Sequence, residues 1–584
     1  MHRPRLLLPL ALLCALSFQL QAREPVRARK AMVVAQEPIA TDVGVKILRS
    51  GGNAIDAAVA VAFALAVTHP SAGNLGGGGF MLIRFADGRS TFIDFRERAP
   101  QSASRDMYLD PAGKLTDQSR IGWRAAAVPG TVRGLEYAHK KYGRLEWLQL
   151  VQPASELASF GVPLSFAESR SICSARKLLE RFPESRRIFL NGDRCYNPDE
   201  VLIQPELGKV LNRIATEGAK DFYEGETARI FAEQMKANGG EITLEDLKNY
   251  TVVERAPLTG KYKGYDILTA PPPSSGGIGM LQMMAMLEGS GYEKYGAGSA
   301  ASTHYFAEVM RRYYADRAKY LGDPDFVKIP VRGLLSKPYN AALRASIHPD
   351  KATPSNSLNA GDPAPYESEQ TTHFNVLDAE GNAVALTYTI NGSYGSGVAV
   401  PGLGFLLNNE MDDFAAKPGE PNMFGLVQGE ANAIQPKKRP LSSMTPTIVL
   451  KDGKPFLTKE PKLLLNDNNG GKPEGIHLMI GRRPHAARAG IALLGRARRV
   501  GAARAATDGL RSDGSPPLEP RPGERSAVRP AGSLARGGGP AGRTGIRRRR
   551  RVARVVAGRG GRFRRQEGSP GDVHLPSLSL CGTR

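Results

Sequence analysis

Cysteine and histidine are scarce in this chain, and lysine is absent from its C-terminal end. Four Cys in 584 residues exclude a disulfide-dense scaffold. No Cys-x-x-Cys or His-Glu-x-x-His spacing occurs and the nine His are scattered, so neither a metal nor another cofactor is expected. The long apolar runs, residues 6–18 and 57–67, are too short at 1.5 Å per residue to span a hydrocarbon core of ~30 Å. No membrane span is expected. There is no Gly-x-Ser-x-Gly elbow, and Ser174-x-x-Lys177 lacks the partners that would make it a β-lactamase element.

Charge is just as unevenly placed. Residues 481–584 hold 24 Arg, no Lys and 6 acidic residues, a net of +18. The whole chain carries +22, which leaves the first 480 residues at +4. A near-neutral body therefore carries a basic tail, and nucleic acid is not expected as a partner. The body has ample apolar content for a core, at 41% hydrophobic residues overall. The tail, with Phe563 as its one aromatic, 19 Gly and 9 Pro, is expected to be disordered. Arg without Lys, beside Gly, Ala and Pro, reads as GC-rich DNA translated in the wrong frame.

At the other end, Arg3 and Arg5 precede the apolar run 6–18 and then Gln19-Leu20-Gln21-Ala22. This pattern is a secretory signal over residues 1–22, which implies a periplasmic or secreted protein. Of the remaining cysteines, Cys173 and Cys195 are either disulfide-bonded or free thiols.

Asn53 is a fit N-cap for the apolar helix ending near Val67. Gly76-Gly77-Gly78-Gly79 then enters a strand, so it is no phosphate loop; it implies close backbone approach or positive φ. Helical patterns dominate residues 122–320, among them 227–238 and a capping-box start at Thr243 and Asp246. Residues 346–370, rich in Pro, Ser, Asn and Asp, read as a flexible surface loop. Two β-favouring segments follow, 371–378 and 383–390, joined by a four-residue turn, 379–382. With Asp378 opposite Ala383, Thr372 faces Thr389 and Thr371 lies beside Thr389 and Asn391. A Thr at that position becomes a nucleophile if the Gln370–Thr371 bond is cut, because the freed α-amine, with a pKa of roughly 7.7–8.0, can act as its base.

The neighbouring motifs carry more. Gln370-Thr371-Thr372-His373-Phe374, Thr389-Ile390-Asn391, Asn408-Asn409-Glu410-Met411-Asp412-Asp413 and Arg439-Pro440-Leu441-Ser442-Ser443 together resemble the γ-glutamyltranspeptidases (glutathione hydrolases). Gly76-Gly77-Gly78-Gly79-Phe80, Asp94-Phe95-Arg96-Glu97 and Pro271-Pro272-Pro273-Ser274-Ser275-Gly276-Gly277 match the same family in the same order. The resemblance covers residues 30–457.

It implies a four-layer αββα N-terminal-nucleophile fold and a proenzyme that cuts itself into a large subunit, 23–370, and a small one, 371–457. It implies γ-glutamyl transfer or hydrolysis on glutathione and similar amides, with amino acids or dipeptides as acceptors. Thr371 resembles the nucleophile and Thr389 the residue that positions it. Arg96 resembles the clamp on the substrate α-carboxylate, although beside Glu97 and Arg98 it would alone read as surface charge. Asn391, Glu410 and Asp413 resemble the α-ammonium and polar contacts, and Ser442 and Ser443 donors to the same carboxylate. A related cephalosporin-type acylase is the alternative. Past Leu457 the resemblance breaks. The family's Gly-Ser-Pro-Gly-Gly turn, whose N–H groups form the oxyanion hole, is replaced by Thr458-Lys459-Glu460-Pro461, and Gly470-Gly471 stands in a different context. The stretch 458–584 is therefore expected to impair the enzyme as written.

Overall fold

A computed structural model describes residues 28–296, 298–354, 357–362, 372–456 and 491–493. The expected signal segment, the Gln370–Thr371 bond, Gly470-Gly471 and the tail apart from 491–493 lie outside these residues.

In chain order, strand β1 (Met32–Val34) precedes helices α1 (Pro38–Arg49) and α2 (Ala54–Thr68), then strands β2 (Gly78–Arg84) and β3 (Ser90–Phe95). Helices α3 (Thr131–Tyr142), α4 (Trp147–Phe160) and α5 (Pro205–Glu217) follow, then strands β4 (Val253–Arg255), β5 (Leu258–Tyr262) and β6 (Tyr265–Thr269). Helices α6 (Gly276–Leu287), α7 (Ala300–Tyr320) and α8 (Lys337–Ala345) lead to β7 (Thr372–Leu377), β8 (Ala383–Thr389), β9 (Thr447–Lys451), β10 (Lys454–Pro455) and β11 (Ile491–Leu493).

Helix α2 is apolar all round and every residue in it is buried, so it can only lie inside the protein. Asn53 starts it as expected. Its Oδ1 accepts from Ile55 and Asp56 N–H (2.9 and 3.0 Å), and Asp56 returns a bond to Asn53 N–H at 3.0 Å. The helix at Glu226–Ala237 and the capping box at Thr243 and Asp246 also match the sequence pattern.

One sheet runs β11-β1-β7-β8-β2-β3-β4 and a second β10-β9-β6-β5, and all their pairings are antiparallel. Side chains alternate across the first sheet. Met81, Ile83, Phe95, Val384 and Leu386 join a core with α2, α4 and α5. Phe80, Leu82, Phe92 and Ala385 point the other way, onto Leu268, Ile448 and Leu450 of the second sheet. The strands β5 and β6 were not distinguished in the sequence, where residues 122–320 read as mainly helical.

The glycine run is explained by close approach. A Cβ at Gly76, Gly77 or Gly79 would lie 2.3, 1.9 or 2.4 Å from the carbonyl oxygens of Leu406, Thr389 and Thr387. None of the four has positive φ. Cys173 and Cys195 form a disulfide.

Three expectations are corrected. The hairpin pairs one residue away from the expected register, with Ala383 opposite Leu377 and Tyr388 opposite Thr372. The cause is Asp378. Its N–H bonds the Asn382 carbonyl at 3.1 Å, closing a three-residue turn rather than one of four, with Gly381 at φ +96°. Second, residues 346–354 and 357–362 are not a free loop, since side chains of α7 bond their backbone at several points. Third, Ile491–Leu493 in the expected disordered tail forms a strand against β1.

Asp378 Oδ1 also accepts from the N–H groups of Glu380, Gly381 and Asn382, and Oδ2 from Ala54 N–H and Asn382 Nδ2. Asp378→Ala leaves the buried donors at Ala54 and Asn382 unpaired and is expected to cost about 2–4 kcal/mol. Thermal unfolding checks it, with Asp378→Asn expected in between; an unchanged midpoint in the Ala variant would refute this role.

Candidate active site

The site begins where β3 ends. Asp94 accepts the Arg96 N–H at 3.0 Å and is held in turn by Arg255 Nε at 2.9 Å, which fixes the chain as it leaves the sheet. The register that pairs Gly79 with Phe95 and Gly78 with Thr389, continued by one residue, puts Thr389, Gly78 and Arg96 in one row across three strands. Strand spacing of ~4.8 Å then separates Thr389 from Arg96 by about 10 Å. A Cβ at Gly78 would lie 2.6 Å from Glu97 Oε2, so only glycine leaves room for that carboxylate.

Arg96 and Glu97 are both 0% exposed, which corrects the surface reading of the Arg96-Glu97-Arg98 run. The Arg96 guanidinium donates to the carboxylates of Glu410 and Asp413, and to the carbonyls of Pro440 and Leu441, each at 3.3 Å. Glu97 Oε2 lies 3.4 Å from the same group. A single guanidinium thus sits among three buried carboxylates. Burial would lower the Arg96 pKa, and the charges of Glu410, Glu97 and Asp413 more than offset it, so Arg96 stays charged. Burial likewise raises Glu410 and Asp413 against the opposing pull of Arg96, and pushes Glu97 up to about 7.

Glu410 and Asp413 are aimed by a short 3₁₀ turn, Glu410–Asp413, which Asn408 and Asn409 anchor. Asn408 bonds Gly76 O, Ala127 O, Ala127 N–H and Glu410 N–H, so its side-chain amide is fully used. Asn409 accepts from Gly392 N–H at 2.8 Å and donates to Arg120 O at 3.0 Å. Asp412 turns away to Ser119 and the Met423 N–H. Asn391 has positive φ (+69°), donates its N–H to Thr389 Oγ1 at 2.8 Å and its amide to Asn409 O at 2.9 Å. Asn74 holds the Thr389 carbonyl at 2.9 Å.

Ser442 and Ser443 arrive on a segment that the Pro271–Gly277 turn clasps. Ser275 bonds the Ser442 carbonyl through N–H and Oγ (2.9 and 2.8 Å), and a Cβ at Gly276 would collide with Thr445 Oγ1. Ser442 Oγ accepts from Met444 N–H. Among the described residues Ser443 Oγ, Glu410 Oε2 and Glu97 Oε1 are buried without a hydrogen-bond partner. Arg96, Glu410, Asp413 and the carbonyl oxygens just before Ser442 therefore converge, and Asn391 joins Thr389 to the Asn409 turn. Thr371 is outside the described residues. Sequence reasoning missed the building roles of Asn74, Asn408 and Glu97: Asn408 and Glu97 stand inside motifs quoted above, and Asn74 lies two residues before the glycine run. Among the described residues no group of three His, Cys, Asp or Glu could hold a metal ion, and no helix is long and apolar enough to cross a membrane.

A family model described as gamma-glutamyltranspeptidase matches residues 40–459. A glutathione hydrolase proenzyme of Pseudomonas sp. (strain A14) is 50% identical over 451 residues, 77% of this chain and 78% of that one. The crystal structure of Helicobacter pylori gamma-glutamyltranspeptidase superposes with TM-score 0.56 at 42% identity, over 58% of this chain and 97% of that chain. A cephalosporin acylase from Bacillus halodurans superposes with TM-score 0.66 at 27% identity, over 74% and 77%.

The cluster predicts a pH dependence. Glu97 holds its proton up to about pH 7 when folded, against 4.5 ordinarily, so the unfolded chain releases it first. The resulting stability is fully present below pH 4.5 and is lost as pH rises through about 7. Thermal midpoints across that window should fall less for Glu97→Gln than for the parent. Parallel curves for the two proteins would assign the effect to other groups.

Proposed function

This chain belongs to the gamma-glutamyltranspeptidase family, and from that premise we propose that it transfers or hydrolyses the γ-glutamyl group of glutathione and related amides. The Thr371 hydroxyl first attacks the Gln370 carbonyl, and an acyl shift and hydrolysis leave Thr371 with a free α-amine. In turnover that amine takes the hydroxyl proton as Oγ bonds to the γ-carbonyl carbon. The C–N bond breaks, the amine product leaves with the proton, and water or an acceptor amine cleaves the Thr371 ester. Thr389 orients the nucleophile.

In the same reading Arg96 binds the substrate α-carboxylate through its planar fork, and Ser442 and Ser443 donate to it. Asn391, Glu410 and Asp413 receive the α-ammonium. The observation that carries this is the fully buried Arg96 with Glu410 and Asp413 beside it and the partnerless Ser443 hydroxyl: paired charges of both signs suit a zwitterion. The finer fold is the αββα sandwich, supported by the two sheets packed through Phe80, Leu82 and Ile448 with helices beyond each. Large and small subunits divide at 370/371, and the signal segment implies export. Residues 458–584 replace the segment that should bring the oxyanion donors, and losing one such donor costs on the order of 10²–10³ in rate.

Two measurements test this on the chain and on a version restored to the alternative reading frame after Leu457. The C-terminal fragment should begin Thr-Thr-His-Phe-Asn, and Thr371→Ala should stay uncut; cleavage there in the variant would exclude self-processing. In the matured restored enzyme Arg96→Lys should lose about 2–3 kcal/mol of transition-state binding on γ-glutamyl-p-nitroanilide. Unchanged efficiency on that substrate, with turnover of a cephalosporin side chain, would favour the acylase reading. Equal turnover by the chain as written and the restored version would refute the frame argument.

A further inference from the structure

One face of α7 carries Glu308, Arg312, Asp316 and Tyr320, spaced by four residues and so stacked along the helix. All four reach the stretch of chain that leads to the Gln370–Thr371 bond. Glu308, 1% exposed, accepts the Thr353 N–H at 2.9 Å and the Thr353 hydroxyl at 2.5 Å. Arg312, 3% exposed, pairs with Glu308 at 2.7 Å and donates to Ser346 O at 2.7 Å and Leu343 O at 3.1 Å. Asp316, 0% exposed, accepts Gly361 N–H at 2.9 Å along with Tyr339 OH and Gln282 Nε2. Tyr320 OH grips the same residue through its carbonyl, donating to Gly361 O at 2.6 Å. A Cβ at Gly361 would lie 2.2 Å from Tyr339 Oη, so the backbone fits there only as glycine.

This is more than a surface loop needs. Buried carboxylates are costly unless fully bonded, and here each uses one of its bonds on a main-chain N–H, Thr353 or Gly361, of a segment that is itself largely exposed. We propose that this face of α7 is a tether that positions the scissile bond for self-cleavage, with Glu308, Arg312, Asp316 and Tyr320 as positioning residues. The proposal rests on the processing reading above. Gln370 is nine residues on from Gly361, and nine steps of ~3.3–3.6 Å give a leash of at most about 30 Å. With Gly361 held by α7 on one side and Thr372 in β7 on the other, the chain that carries the Gln370–Thr371 bond is anchored at both ends before the cut. Mature turnover, which needs Thr371 and not Gln370, does not depend on it.

The test uses the full chain, with Tyr320→Phe as the mild variant and Tyr320→Phe/Asp316→Asn as the strong one. Hydrogen exchange on the Thr371→Ala background should show amide protection at Thr353 and Gly361. The strong variant should lose it at Gly361 while the β7–β8 hairpin keeps its own. In the cleavable, frame-restored chain, fragment appearance should slow about tenfold, with kcat and KM of the matured fraction unchanged. Equal cutting rates with lost protection would overturn the positioning role, and so would kcat falling in step with processing. Protection at Gly361 unchanged in the strong variant would overturn the tether itself. Absence of any cutting in the parent would instead sink the processing reading, leaving exchange to decide the tether.

Discussion

The buried guanidinium of Arg96 is the interaction on which the rest of this architecture depends. Taking one such charge out of water costs several kcal/mol, and only close opposite charges with satisfied hydrogen bonds offset it. Arg96 precedes the expected cut, whereas Glu410, Asp413 and the Pro440 and Leu441 carbonyls follow it. The charge pairing therefore joins the two prospective subunits at the site itself. Removing either partner strands a buried charge, a loss of about 3–5 kcal/mol by general precedent.

Supporting ion pairs surround this centre. Asp94 orients the Arg96 backbone while pairing with Arg255, and Arg439, 1% exposed, lies 3.4 Å from the same carboxylate. Arg439 N–H reaches Asp323, which fixes the start of the loop that runs on to Ser442 and Ser443. The Arg96 environment and the serine segment are thus held by one charge network, and neither can shift without breaking bonds in it.

The sheet order gives a second reason why a cut between 370 and 371 would not release the pieces. Strands β7 and β8 lie between β1 and β2, so each is hydrogen-bonded on its outer side to a strand from before the cut. Dissociation would expose two ladders and the apolar faces of Phe374, Val376 and Leu386 together. Gly77 and Gly79 serve the same closeness, letting the chain at β2 approach β8 where a side chain would collide with the Thr389 and Thr387 carbonyl oxygens.

Local features were determined by the sequence alone: the Asn53 and Thr243 caps, the buried α2, the existence of the β7–β8 hairpin and the ordered motifs that resemble a known family. Each depends on residues a few positions apart, or on a pattern of residue types. Register, burial and anchoring were decided only by the tertiary structure. Asp378 sets the register partly by capping α2 through Ala54, 324 positions away. Arg96-Glu97-Arg98 looks like surface charge until Glu410 arrives from 314 residues on. Residues 346–362 look like a loop because the side chains that hold them lie up to 45 positions earlier on α7. A hydrogen bond or ion pair between distant positions leaves no periodicity in the chain, and it exists only once packing has brought the two groups together and excluded water from around them.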